Sequence, residues 1–100
     1  FTEVHPDGTN VDKVVKDNYK VILGDDYVHV EGNVKVNIVG NATVVVNGDA
    51  TTTVSGNKVD VVKGNYSLAV GGDISIAAGG AITEGANSQF SIKAARIDLN

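Results

Sequence analysis

Few side chains in this sequence could do chemistry. Lys58 and Asp60 stand two apart in NKVDVV (57–62), a spacing that puts both on one face of an extended strand. If that face is inward, the charges must be paired, hydrated or metal-bound, because a buried lone charge is strongly disfavoured. Three readings follow: an internal ion or water site, mutual pairing, or a local flip of phase that turns Val59 and Val61 inward instead. His5 and His29 could each ligate a metal, and His29 has Asp25, Asp26 and Glu31 near it in sequence. A solvated surface histidine is the plainer reading of both. There is no cysteine, hence no disulfide framework and no thiolate metal site. No nucleophile–histidine–acid set and no spaced carboxylate pair stands out, so an enzyme is not expected. Gly71-Gly72-Asp73 is a single fragment of the nonapeptide calcium repeat, not a series of them. Thr51-Thr52-Thr53 occurs once, whereas an ice-binding face needs threonine on layer after layer.

The bulk composition narrows the classes further. One hundred residues suffice for one small domain, whose core is buried with little to spare. The net charge of −4, from 12 acidic and 8 basic residues, argues against a nucleic-acid partner, which needs a basic patch. No apolar run approaches the roughly 18–20 residues of a membrane helix. Valine and glycine are abundant and leucine is scarce, which favours strands and tight corners over helices. The chain opens FTEVHPDGT, without an initiator methionine, and reads like an excerpt from a longer protein.

The elements that would position these residues come from an eight-residue repeat. Gly24, Gly32, Gly40, Gly48, Gly56, Gly64, Gly72 and Gly80 are all in phase. With glycine at place a of an octad a–h, place b reads Asp25, Asn33, Asn41, Asp49, Asn57, Asn65 and Asp73. Glycine, asparagine and aspartate best tolerate left-handed or turn backbone, so a and b are expected to form a corner. Place g reads Val30, Ile38, Val46, Val54, Val62, Val70 and Ala78. Over the seven octads from 24 to 79, places c, e and g are apolar at 17 of 21 sites; d, f and h are apolar at 7 of 21. That is the period-two signature of a strand with one buried face. Each octad therefore reads as a short strand followed by a glycine corner.

Short strands meeting at regular corners make a prismatic solenoid. Three octads would close a triangular coil, supplied either by one chain or by three. One chain would complete fewer than three coils between 24 and 80, leaving many open strand edges. Asp25, Asp49 and Asp73 also recur every 24 residues, so a one-chain coil would stack them on one corner at about 4.8 Å. Like charges so placed repel. With three chains the same residues lie roughly 14 Å apart. The expected fold is all-β: an intertwined homotrimeric triple-stranded β-helix, a triangular prism built on octapeptide repeats. Its core would be Val30, Ile38, Val46, Val54, Val62, Val70, Phe90 and Ile92.

Val30-Glu31-Gly32-Asn33, Val54-Ser55-Gly56-Asn57 and Val70-Gly71-Gly72-Asp73 carry a V-x-G-[ND] pattern. It resembles the C-terminal needle of the central spike proteins of contractile-tailed phages, and the related VgrG spikes of type VI secretion systems. The resemblance covers about 20 to 100, including the tail NSQFSIKAARIDLN (87–100). It implies a homotrimeric needle below an oligosaccharide-binding-like barrel and a baseplate hub, with a PAAR-type protein capping the tip. Some members insert a lysozyme domain; this sequence contains neither barrel nor lysozyme. The resemblance further implies a place at the virion tail baseplate or on a secretion-system spike, transient contact with the host outer membrane, and extracellular action. No cofactor is implied beyond ions, waters or an apolar ligand in the lumen. A β-solenoid stalk of a trimeric adhesin or receptor-binding fibre is the alternative. It would need exposed aromatic or apolar binding patches, and only Tyr19 and Tyr27 look outward.

Three regions are expected. Residues 1–23 form a lead-in or collar after an upstream domain, with HPDGT (5–9) at the junction. There Lys16 takes a glycine place and Tyr19, Val21 and Leu23 alternate in the opposite register. Residues 24–86 form the octad β-helix, and Glu84, where the repeat dissolves, reads as a loop residue. Residues 87–100 form an irregular end towards the tip: Phe90, Ile92 and Ala94 keep the c, e, g phase, and a bulge or corner near Arg96 restarts the alternation.

Overall fold

A computed structural model describes residues 2–4 (backbone) and 6–99. The chain falls into two units, Phe1–Ala50 and Thr51–Asn100.

The first unit begins with a hairpin. β1 (Thr2–Val4) pairs antiparallel with β2 (Asn10–Asp12) in the register Thr2↔Asp12, Glu3↔Val11, Val4↔Asn10. Its connection contains Pro6, Asp7 and Gly8, residues that favour turns for separate reasons. The Asp7 Oδ1 accepts a hydrogen bond of 3.0 Å from the Thr9 backbone N–H, and Gly8 takes a left-handed φ of 88° that a side chain would strain. The Thr9 backbone N–H, followed by the Thr9 hydroxyl, holds the Asp7 carboxyl below its ordinary value. A depressed folded pKa stabilises the turn above the unfolded value; that contribution is lost as pH falls through the folded one. Acid titration followed by NMR should therefore move the Thr9 amide resonance with a midpoint below that of an ordinary aspartate. Asp7→Asn, which keeps an acceptor oxygen but cannot ionise, should remove the titration. A midpoint at the ordinary value would contradict the turn.

Beyond the hairpin, the first unit bends sharply at residues 15–16, 23–24, 31–32, 39–40 and 47–48. The second unit bends at 55–56, 63–64, 71–72, 79–80 and 87–88, and again at Ala95. The eight-residue spacing holds within each unit, and bend-free stretches of six residues separate the paired bends. Each bend falls on places h and a, one residue earlier than the a–b corner expected from residue types. No corner glycine takes a left-handed φ, and no described non-glycine residue does either. The tolerance of Asn and Asp for left-handed backbone therefore does not explain place b. Beyond its two adjacent residues, nothing of the chain lies within 4 Å of where a Cβ would stand on any corner glycine.

The periodic bends also start earlier than the glycines. Val15–Lys16 bends without one, as do Asn87–Ser88 and Ala95. The last lies beside the corner expected near Arg96. Among the described residues, β1 with β2 is the only strand pairing. No described side chain is buried. The chain exposes 11249 Å². A folded monomer of its mass would expose about 5,400 Å².

Candidate functional site

The bends set the side chains of place g apart, while the large apolar residues at places c and e range from 53% to 86% exposed and overlap the outward set. The large apolar residues at place g are Val14, Ile22, Val30, Ile38, Val46, Val54, Val62 and Val70, and all are between 46% and 54% exposed. The apolar residues at f and h, namely Val15, Val21, Leu23, Val39, Val45 and Val61, are between 78% and 98% exposed. A side chain on the inside of a bend is flanked by both arms of the chain; one on the outside is flanked by neither. Place g directly precedes the bend, so this contrast is what a backbone folding towards the g side produces.

Two members of the g series were not apparent from the glycines. Val14 and Ile22 lie sixteen and eight residues before Val30, and they share its partial cover. The signal was present as an unbroken eight-residue spacing of Val and Ile from 14 to 70. It was masked by Tyr19, Val21 and Leu23, which are all strongly exposed.

Lys58 and Asp60 share a face within the second unit. The Lys58 Nζ donates a hydrogen bond of 3.0 Å to the Asp60 Oδ2. That bond, then the attraction of the same carboxylate, holds the ammonium above its ordinary pKa. Val62, two residues further on, keeps the half-covered state of place g at 49% exposed, while Val59 and Val61 belong with the exposed set. The two charges thus pair with each other, one of the three readings their spacing allows.

A second pair appears in the first unit. Lys20 Nζ lies 3.6 Å from Asp26 Oδ2, across the bend at 23–24. Continuing the octad count upstream puts Lys20 at place e; Asp26 is at place c. The spacing of six hides this pair in the sequence, because such residues meet only across a bend.

The remaining candidates lie elsewhere. His29 stacks on Tyr27, with ring centroids 6.3 Å apart and planes 11° apart, and its Nε2 is 3.8 Å from the Glu31 Oε1. Places d, f and h alternate onto one face, opposite g, so these three side chains form an exposed row. His5 lies outside the described residues. Glu84, expected in a loop, sits midway between the bends at 79–80 and 87–88. Phe90 and Ile92 occupy places c and e of the stretch after the bend at 87–88, and the Arg96 Nε donates a 2.9 Å hydrogen bond to the Asp98 Oδ1 beyond Ala95. Among the described residues no group of three or more His, Asp or Glu is placed to hold a metal, and no helix is long and apolar enough to cross a membrane. No family model matches this chain, and neither a curated protein nor a solved structure does.

Proposed function

We propose that three copies of this chain wind into an intertwined β-helix, and that the shaft serves as the needle of a contractile injection machine, driven tip first through a target cell's outer membrane. One observation supports it most. A stripe of Val and Ile recurs every eight residues, each directly before a periodic bend, and its own chain covers it only by half. A chain with about twice the surface of a folded monomer cannot offset its ordering entropy alone. Two further copies would supply the missing cover. They would also supply partners for backbone groups that pair with nothing in their own chain.

The piercing role rests on the resemblance of the octads to spike needles, and the material suits it. Main-chain bonds between chains, in sheets whose free edges lie only at the two ends, give a shaft that unwinds only as a whole. The outward places mix Thr, Asn, Ser, Lys and His with single valines, with a net charge of −4 for the chain, and offer lipid no continuous amphipathic anchor. By the same resemblance the partners are an upstream barrel and baseplate hub and a PAAR-type protein at the C-terminal tip. No catalytic role and no nucleic-acid partner is proposed.

Sedimentation in native buffer tests the reading. We expect a species of three times 10.3 kDa that resists heat and SDS and has a β-type circular dichroism spectrum. A monomer would sink it. A trimer that binds glycans or cell surfaces would move the function from needle to adhesin stalk.

A further inference from the structure

We propose that the two ion pairs, Lys20–Asp26 and Lys58–Asp60, fix the axial register of the three chains. This rests on the three-chain reading above.

The octad that builds such a shaft also makes its register ambiguous. Sliding one chain by eight residues puts glycine on glycine and g-place Val or Ile on its like. Neither the corners nor the g stripe resists such a slip. Places c and e break the monotony. Lys58 and Asp60 stand where the neighbouring octads have Ala50 and Thr52, or Tyr66 and Leu68. Lys20 and Asp26 make a second mark, in the first unit, and Asp26 and Lys58 are four octads apart in sequence.

With the chains in register, three Lys58 and three Asp60 meet around one axis. Each ammonium then has a carboxylate of its own chain at 3.0 Å and others from its neighbours. A slipped chain carries Lys58 and Asp60 into a layer of Ala50 and Thr52, or of Tyr66 and Leu68, which has no matching charge, and removes one-third of the charges from the layer it left. Desolvated ions with fewer partners are strongly disfavoured, while replacing whole pairs with apolar residues is often neutral. The pairs therefore contribute little to holding the shaft together and much to choosing one alignment, as a single polar residue does in a coiled-coil seam.

A pyrene attached at Ser67→Cys tests this, since the chain has no other cysteine. Ser67 is at outward place d. In the three-chain prism each octad advances one face and one layer. In register, the three labels lie on three different faces. A slip of eight residues puts two of them on one face, one strand spacing of about 4.8 Å apart, where pyrene forms an excimer.

After unfolding and refolding, the labelled Ser67→Cys protein should sediment as a trimer without excimer emission. Adding Lys20→Val, Asp26→Val, Lys58→Val and Asp60→Val should keep the trimer and bring the excimer band. The exchanged pair Lys58→Asp with Asp60→Lys should stay free of it. A quadruple variant that trimerises without excimer overturns the proposal. A quadruple variant that cannot trimerise also overturns it, because the pairs would then hold the shaft rather than align it. An excimer in the singly substituted trimer, or in the exchanged one, does the same. A monomeric Ser67→Cys protein fails differently, since it removes the three-chain reading itself.

Discussion

Val54→Asp should abolish the heat- and SDS-resistant trimer proposed above, and Val39→Asp should leave it intact. Both replace a valine with a carboxylate, and the difference lies only in octad place. Val54 is at g, directly before a bend and about half exposed; Val39 is at h and almost fully exposed. In a three-chain shaft, the three carboxylates introduced by Val54→Asp would face one axis without cations. An uncompensated buried charge costs about 3–5 kcal/mol. Three of them reach roughly 9–15 kcal/mol, as much as the whole ~5–15 kcal/mol stability of an ordinary domain. At place h the chain already carries Glu31, so Val39→Asp should stay within about 0.5 kcal/mol. Unboiled gel mobility and sedimentation of the two variants check this. Equal behaviour, whether both trimeric or both monomeric, contradicts the inward assignment of g.

The second large effect concerns length. Deleting Thr43 alone should destroy the trimer, whereas deleting all eight residues 40–47 should preserve it. A one-residue deletion turns every following side chain to the opposite face until the next corner, and it shifts that corner against the neighbouring chains. Removing a full octad takes out one corner and one stretch together and leaves the phase of all others unchanged. The shorter protein loses one layer of cover per chain, so its thermal resistance should fall modestly. Circular dichroism melts with sedimentation distinguish the two. Survival of the one-residue deletion with full resistance would show that phase is not what holds the chains.

The eight-residue spacing of the bends is legible because the repeat is strict. The g stripe from Val30 to Val70 could be read directly, and those residues are uniformly half covered. The corner was misplaced by one residue for a specific reason. Asn and Asp at b suggested left-handed backbone there, yet the bends at h and a are made without it, as Val15–Lys16 demonstrates. The glycines likewise served as a clock but not as the cause of bending, which hid Val14 and Ile22. Lys58 and Asp60 were legible as a pair from their spacing of two. Lys20 and Asp26 were not, because a spacing of six brings side chains together only across a bend. What sequence cannot specify is the occupant of the uncovered face, since identical octads suit one chain or several.

Among the described residues strand pairing is confined to the hairpin, and this has a consequence for time rather than for stability. Under the three-chain reading, residues of the shaft gain nothing by ordering before they meet their partners. Folding and encounter are then a single event whose speed depends on how many chains share a volume. Diluted chains wait, and their exposed valines wait with them, open to aggregation. Whatever gathers three chains at one end would act as the starter of the reaction. From that end each completed layer presents the edges on which the next can form, so the shaft would close like a zip rather than collapse like a globule.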